Sequence, residues 1–420
     1  MPGCALPGTP LADALPGINA CVHCGFCLQA CPTYLNLEDE NDSPRGRIFL
    51  MRSLLEGTVK PDDPSVQQHI DQCLGCRACE PVCPSGVPYG QLLEATRATL
   101  RESKPTPFIA RFILFVFARA WLLRPAMFFS RILAATPIPT LLSGVKGRMG
   151  FAMAMLASTG RSIDRSRYQV VTRGERGSVA TLRGCVMEGL FSATNRATER
   201  VLGVNGYRIV DAPGQQCCGA LHAHAGDLES ARKLARRNIA AFERSGAQFI
   251  AVNAAGCGAT MKEYGHLLKD DPDWHERAAA FGSRVRDVSE LLAAAGPREG
   301  GALPLRVTYD APCHLQHAQR VTQAPLAVLA AIPGLDLVPL HDSDQCCGSA
   351  GIYNLIEPET SDAVLAPKLA NIRATRAPFV ATGNPGCLMQ IGAGLIRAEI
   401  PARSIHPVDL LDALYAAFGQ

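Results

Sequence analysis

The chain has almost no net charge. Its 41 Lys and Arg against 38 Asp and Glu leave +3 at pH 7, too little to draw it to nucleic acid or another strongly charged partner. No Gly-x-Gly-x-x-Gly follows a strand-like run, and there is no Gly-Lys-Ser/Thr phosphate loop, so no flavin or nicotinamide site is expected in this chain. Residues 1–20 lack the basic start and apolar core of an export signal. The thiols are therefore expected to be reduced, which favours metal binding over disulfides. Acidic residues are missing from Pro105 to Gly160, where the cations are Arg111, Arg119, Arg124, Arg131, Lys146 and Arg148. The apolar runs there are cut by Arg119, Arg124 and Pro125, short of the ~20 residues a spanning helix needs. No transmembrane helix is expected, and the arginines do not share one helical face. Two readings stay open: helices packed against the chain's own domains or a partner subunit, and a cationic apolar surface facing a membrane or a membrane-bound acceptor.

With 47% hydrophobic and 19% charged residues the chain is globular, and 420 residues predict two to four domains. Cysteine is abundant, at 17 residues. Eight lie in 21–83, eight in 185–387, and Cys4 stands apart. This distribution divides the chain into 1–100, 101–175 and 176–420, the last part splitting near 300 into two repeats.

Cys21, Cys24, Cys27 and Cys31, then Pro32, follow C-x2-C-x2-C-x3-C-P, and Cys73, Cys76, Cys79 and Cys83, then Pro84, repeat it. This is the spacing of a bacterial two-cluster ferredoxin, in which three thiolates wrap one cubane and the fourth serves the other. Cys21, Cys24, Cys27 and Cys83 are thus expected to hold one [4Fe–4S] cluster, and Cys73, Cys76, Cys79 and Cys31 the second. Each fourth cysteine is expected at the start of a helix leading away from its own motif. Zinc usually takes two separated C-x2-C pairs rather than a run of four cysteines. His23, inside the first motif, is expected to face solvent. The stretch 43–57 reads as a helix, so the first domain is expected to be α-helical.

The last part is duplicated. Cys313, Cys346 and Cys387 follow Cys185, Cys217 and Cys257 at intervals of 128, 129 and 130 residues. Six short apolar runs, in 178–184, 207–212, 248–254, 305–311, 335–341 and 378–384, read as buried strands. Leu228, Ala231, Ala235, Ile239 and Phe242 share one helical face, as do Leu365, Leu369 and Ile372, although Pro367 leaves that helix start open. Strands alternating with helices predict a duplicated α/β domain with parallel sheets, its cysteines at strand ends. Each copy offers four thiols: Cys185, Cys217, Cys218 and Cys257, then Cys313, Cys346, Cys347 and Cys387. Structural thiols at tight turns and a further metal or cluster both remain open for them.

Two ferredoxin motifs combined with two Cys-Cys-Gly repeats resemble the iron–sulfur subunits of membrane-associated oxidoreductases, including those of heterodisulfide reductase, anaerobic glycerol-3-phosphate dehydrogenase and glycolate oxidase. CLGCRACEPVCPSGVPYG (73–90), CHLQHAQR (313–320) and CCGSAGIYN (346–354) look most like the glycolate oxidase subunit. The resemblance implies an electron-transfer chain with no catalytic residue of its own. It implies a partner FAD subunit that converts glycolate to glyoxylate, a quinone-type acceptor, and a peripheral place on the cytoplasmic side of the inner membrane. D-lactate or glycerol 3-phosphate as the partner's substrate, or a general heterodisulfide-reductase-like carrier, are the alternatives. Thr260 and Gln390 stand where the heterodisulfide reductase pattern has a last cysteine, a departure that puts its unusual clusters in doubt.

Overall fold

The computed structural model describes residues 4–103, 107–159 and 174–417. Among these, the N-terminal part is helical. Its longer helices are Pro44–Glu56, Pro64–Asp71 and Tyr89–Leu100. The first begins where the Ser43 hydroxyl accepts from Gly46 N–H, and ends at Gly57, whose φ of 76° suits a residue without Cβ. Leu11, Ile18, Met51, Leu54, Ile70 and Leu92 fill the core between these helices.

Two four-stranded sheets follow, ordered β2-β1-β3-β4 and β6-β5-β7-β8, with every pairing parallel. The strands are β1 (Ser178–Thr181), β2 (Arg208–Ile209), β3 (Phe249–Val252), β4 (Val285–Asp287), β5 (Arg306–Tyr309), β6 (Asp336–Val338), β7 (Phe379–Ala381) and β8 (Arg403–Ile405). Six coincide with the apolar runs. β4 and β8 were not expected: each is three residues long, lies at a sheet edge and contains an arginine, so neither makes an apolar run. Helix Leu228–Ser245 buries Ala231, Ala235, Ile239 and Phe242. Its counterpart, Pro358–Thr375, runs through Pro367 and starts nine residues before it. The two repeats share one core, in which Val201, Leu202 and Leu291 of the first meet Val328, Leu411 and Tyr415 of the second. Arg200 and Asp412 pair across this contact at 2.7 Å.

The acid-free stretch, whose ends Pro105, Thr106 and Gly160 lie outside the described residues, forms helices Phe108–Phe117, Ala120–Ala134, Ile138–Leu142 and Arg148–Ser158. One side is tied to the repeats. His222 Nε2 donates to Leu114 O at 3.0 Å, Arg131 Nε to Gly189 O at 3.0 Å, and Arg148 Nη2 to Ile356 O at 3.2 Å. The other side exposes Phe108, Phe112, Trp121, Phe128 and Phe129. Among the described residues no single helix is long and apolar enough to cross a membrane, and the first two are bent by 106° where they join.

Candidate metal centres

In both ferredoxin motifs the third and fifth residues are left-handed. These are His23 (φ 55°) and Gly25 (87°) in the first, Gly75 (62°) and Arg77 (64°) in the second. Left-handed residues inside so short a loop turn successive backbone N–H groups toward one concavity, which suits an anionic cluster. His23 is exposed, as expected. Gly75 N–H and Tyr89 O–H donate to Cys73 Sγ at 3.4 and 3.6 Å, the type of contact that tunes a cluster's potential.

Cys21, Cys24, Cys27, Cys79 and Cys83 line one small cavity. Burial pushes the Cys27 thiol up to about 11, with Cys21 and Cys31 adding to the effect. Burial also holds Cys76 and Cys79 well above their ordinary range, and Cys31 and Cys73 are among the thiols that raise them further. Cys31 thus acts on Cys27 of its own motif as well as on Cys76 and Cys79 of the other, and Cys79 and Cys83 share the cavity of Cys21, Cys24 and Cys27. Cys31 does cap a helix, Pro32–Leu37. Cys83 does not. Gly86 is left-handed at φ 63°, and Val87 precedes Pro88, so the next helix starts only at Tyr89.

In the repeats, the thiols come from the ends of three adjacent strands: Cys185 after β1, Cys217 and Cys218 after β2, Cys257 after β3, and likewise Cys313, Cys346, Cys347 and Cys387 after β5, β6 and β7. Sulfur hydrogen bonds link Cys185 to Cys217, Cys217 to Cys218 and Cys218 to Cys257. The same chain runs from Cys313 through Cys346 and Cys347 to Cys387. The hydrogen bond to Cys217 and burial keep Cys185 protonated, and that to Cys347 and burial do the same for Cys387. All eight are free cysteines. Four buried or half-buried thiols in contact resist ionisation unless a cation takes the protons' place, so the donor set fits a thiolate-bound metal or cluster. Both quartets, together with Cys73, line one cavity of about 480 Å³. Cys76 packs in one cluster with Cys346, Leu74 and Tyr353, so the second ferredoxin set abuts the quartet of the second repeat.

Comparison with known proteins bears directly on these sets. Residues 17–87 match the family model of the 4Fe-4S dicluster domain, and 179–262 and 307–392 each match that of the cysteine-rich domain. The chain is 39% identical over 411 residues to a probable glycolate oxidase iron–sulfur subunit of Bacillus subtilis, covering 93% of this chain and 92% of that one. It is 36% identical to the glycolate oxidase iron–sulfur subunit of Escherichia coli, covering 90% and 89%. The chain belongs to the glycolate oxidase iron–sulfur subunit family. As a member of that family it is an iron–sulfur electron-transfer subunit of an oxidoreductase, with a helical ferredoxin-type part followed by two α/β cysteine-rich domains. Lactate utilization protein A of Geobacillus thermodenitrificans is a more distant relative, 28% identical over 54% of this chain and 95% of its own.

Around the thiols lie residues the motif spacing did not point to. Asn238 Nδ2 donates to Cys217 O at 2.9 Å, and Tyr264 O–H to Cys218 O at 2.7 Å. Arg47, fully buried, donates to His69 O, Thr33 Oγ1 and Asp42 Oδ1. Lys368 and Asp310 form a buried ion pair. The duplication held one signal: Lys368 stands 130 residues after Asn238, the interval that separates the last cysteines of the repeats. Thr260 Oγ1 donates to Gly256 O, and Gln390 Nε2 to Ser361 Oγ, so both are engaged in local bonds.

Proposed function

We propose that this chain serves a complex in which a partner FAD subunit oxidises glycolate to glyoxylate and this chain carries the electrons on to a quinone at the cytoplasmic face of the inner membrane. The observation that carries the reading is the 36–39% identity, over about nine-tenths of both chains, to proteins named glycolate oxidase iron–sulfur subunits. In this proposal Cys21, Cys24, Cys27 and Cys83 hold one [4Fe–4S] cluster and Cys73, Cys76, Cys79 and Cys31 the other. At least one repeat quartet holds a further centre, with Cys313, Cys346, Cys347 and Cys387 next to the second set. Such clusters, with every iron held by cysteine, supply one-electron relay rather than bond chemistry.

The chain's own residues set the conditions for that relay. Leu74, Ala78, Tyr353 and Val364 pack in one apolar cluster with Cys76 and Cys346. Hydride removal from an α-hydroxy acid needs a two-electron acceptor such as a flavin, and the sequence offers no dinucleotide loop for one.

The test is affinity purification of the intact chain under anaerobic conditions, identification of the copurifying flavoprotein, and dye reduction by the complex with glycolate, D-lactate and glycerol 3-phosphate. A strong preference for glycolate is expected, with no activity from the isolated chain. Preference for D-lactate would favour the second reading, which the distant lactate-utilization relatives support.

A further inference from the structure

The two ferredoxin motifs place the same loop in different surroundings. Each cysteine of the second stands 52 residues after its counterpart in the first, so Leu74 and Ala78 occupy the places of Val22 and Phe26. Leu74 and Ala78 are each 6% exposed and pack with Cys346, Tyr353 and Val364 of the second repeat. That loop is also pinned by both repeats. Tyr353 O–H donates to Gln72 O at 2.9 Å, His314 Nε2 lies 3.1 Å from Gly75 O, and Arg77 Nη1 donates to Glu263 Oε1 at 2.7 Å. The first loop is open. Val22 is 67% and Phe26 66% exposed, and both border the cavity of the first thiol set. Val82 and Pro84, on either side of Cys83, are exposed as well. Cys24 is exposed, whereas Cys31, Cys73, Cys76 and Cys79 are buried.

We infer that this apolar face, formed by Val22, Phe26, Val82 and Pro84, is the docking surface for the flavoprotein subunit. The inference rests on the functional reading above, which supplies that subunit, and adds where it sits. The duplicate loop shows what covers such a face in this molecule: an apolar protein surface, that of the second repeat. Apolar side chains left in water together mark an interaction surface. Charge narrows the occupant further. The four side chains are uncharged, and Arg45, which borders the same cavity, is engaged with His23 O and with Glu40 at 2.6 Å. The face therefore fits an apolar, uncharged protein surface, and it offers no basic cluster to an anionic lipid surface. Exposure of Cys24 narrows it again. Of the two ferredoxin sets, the first is the one that reaches the surface, so it is the one that a flavin held by another subunit can approach. In the reading above the acceptor is a small molecule, which leaves the flavoprotein as the protein that must lie against a one-electron relay. A face of four side chains matches the small contacts of redox partners.

The experiment uses the complex copurified anaerobically on the intact chain, its partner identified by peptide sequence and bound FAD. p-Benzoylphenylalanine replaces Phe26, which keeps an aromatic ring in the loop. In a second sample it replaces Leu326, an exposed residue of the second repeat. On irradiation, position 26 is expected to crosslink to the flavoprotein and position 326 is not. Phe26→Asp and Val82→Asp each place a carboxylate in the face. Both should weaken binding of the flavoprotein by on the order of ten-fold or more, with iron content unchanged, whereas Phe26→Leu should bind as the unaltered chain does. If Phe26→Asp loses iron, the crosslink map and Val82→Asp decide. A crosslink from position 26 only to a second copy of this chain or to lipid, a flavoprotein crosslink from position 326 alone, or unweakened binding by Val82→Asp would overturn the docking face. Preference of the complex for D-lactate would sink the glycolate reading and leave these results standing. A complex active with glycolate whose position 26 takes no crosslink would sink the docking face alone. If no flavoprotein copurifies, both fail.

Discussion

Lys368 Nζ lies 2.6 Å from Asp310 Oδ1, and each side chain is only 2% exposed. Thr382 Oγ1 donates to the other carboxylate oxygen at 2.9 Å, and Lys368 also donates to the carbonyls of Asp342 and Ser343. Burial works against the lysine's charge, but Asp310, with Cys347 and Cys387 beyond it, more than compensates. Removing one member of such a pair leaves the other buried and uncompensated, at a cost of about 3–5 kcal/mol. Lys368→Met should therefore destabilise the chain by that amount in anaerobic denaturant titration, while Lys368→Met combined with Asp310→Leu should recover most of it. Equal losses in the single and double variants would show that the pair is not coupled in this way.

This pair also marks the limit of what the sequence reveals. Cluster spacing is legible because thiolates that wrap one cubane must be close along the chain, and six strands are legible because a strand buried on both faces is an apolar run. Tertiary burial leaves no such local trace. Arg47 reads as one more arginine on a helix, and Lys368 as a solvent-facing cation, until the fold encloses them. Cys83 carries the same trailing proline as Cys31, yet Gly86 and Pro88 turn the chain where a helix was expected. The acid-free stretch gave two readings, and its helices have one side packed on the repeats and the other exposed.

The proposed crossed ligation makes a claim about pairs of cysteines. Cys31→Ser combined with Cys73→Ser removes two ligands from one cluster. Cys31→Ser combined with Cys21→Ser removes one from each. With about eight iron expected in the ferredoxin part, the first combination should lose about four of the chain's iron and the second about eight. Iron and sulfide analysis after anaerobic purification checks this, and the reverse pattern would mean that Cys31 serves its own motif.

Asp287 caps helix Val288–Ala295, accepting from Ser289 N–H and Oγ–H, and is 4% exposed. Burial raises its carboxyl to about 6, the Ser289 hydrogen bonds opposing the shift only in part. A pKa raised above the unfolded value of about 3.9 means that the folded chain binds the extra proton. The stabilisation is thus complete below about pH 4 and is lost as pH rises through about 6. Asp287→Asn keeps a capping side chain without the charge. It should gain stability relative to the unaltered chain at pH 7.5 and lose that advantage toward pH 4.5, as measured by thermal unfolding at both values. A difference independent of pH would exclude this titration.

Arg47 offers the sharpest electrostatic test. Its guanidinium is completely buried among the first domain's helices, bonded to His69 O at 2.6 Å, Thr33 Oγ1 at 3.0 Å and Asp42 Oδ1 at 3.1 Å. Burial disfavours its charge, but Cys73, Tyr89, Cys31 and Asp42 together raise its pKa above the ordinary arginine range. Cys73 and Cys31 belong to the proposed second cluster, so a fixed cation sits beside a centre that becomes more negative on reduction. Such a charge favours the reduced form and raises the potential. Arg47→Gln removes the charge, and Arg47→Lys keeps it while losing the planar fork that serves three acceptors at once. Both should cost stability. Only Arg47→Gln should lower the midpoint potential of the second cluster, by on the order of tens of millivolts, in an anaerobic redox titration followed by electron paramagnetic resonance. If the two variants shift the potential equally, or neither does, Arg47 holds the helices together without setting the potential of the cluster beside it.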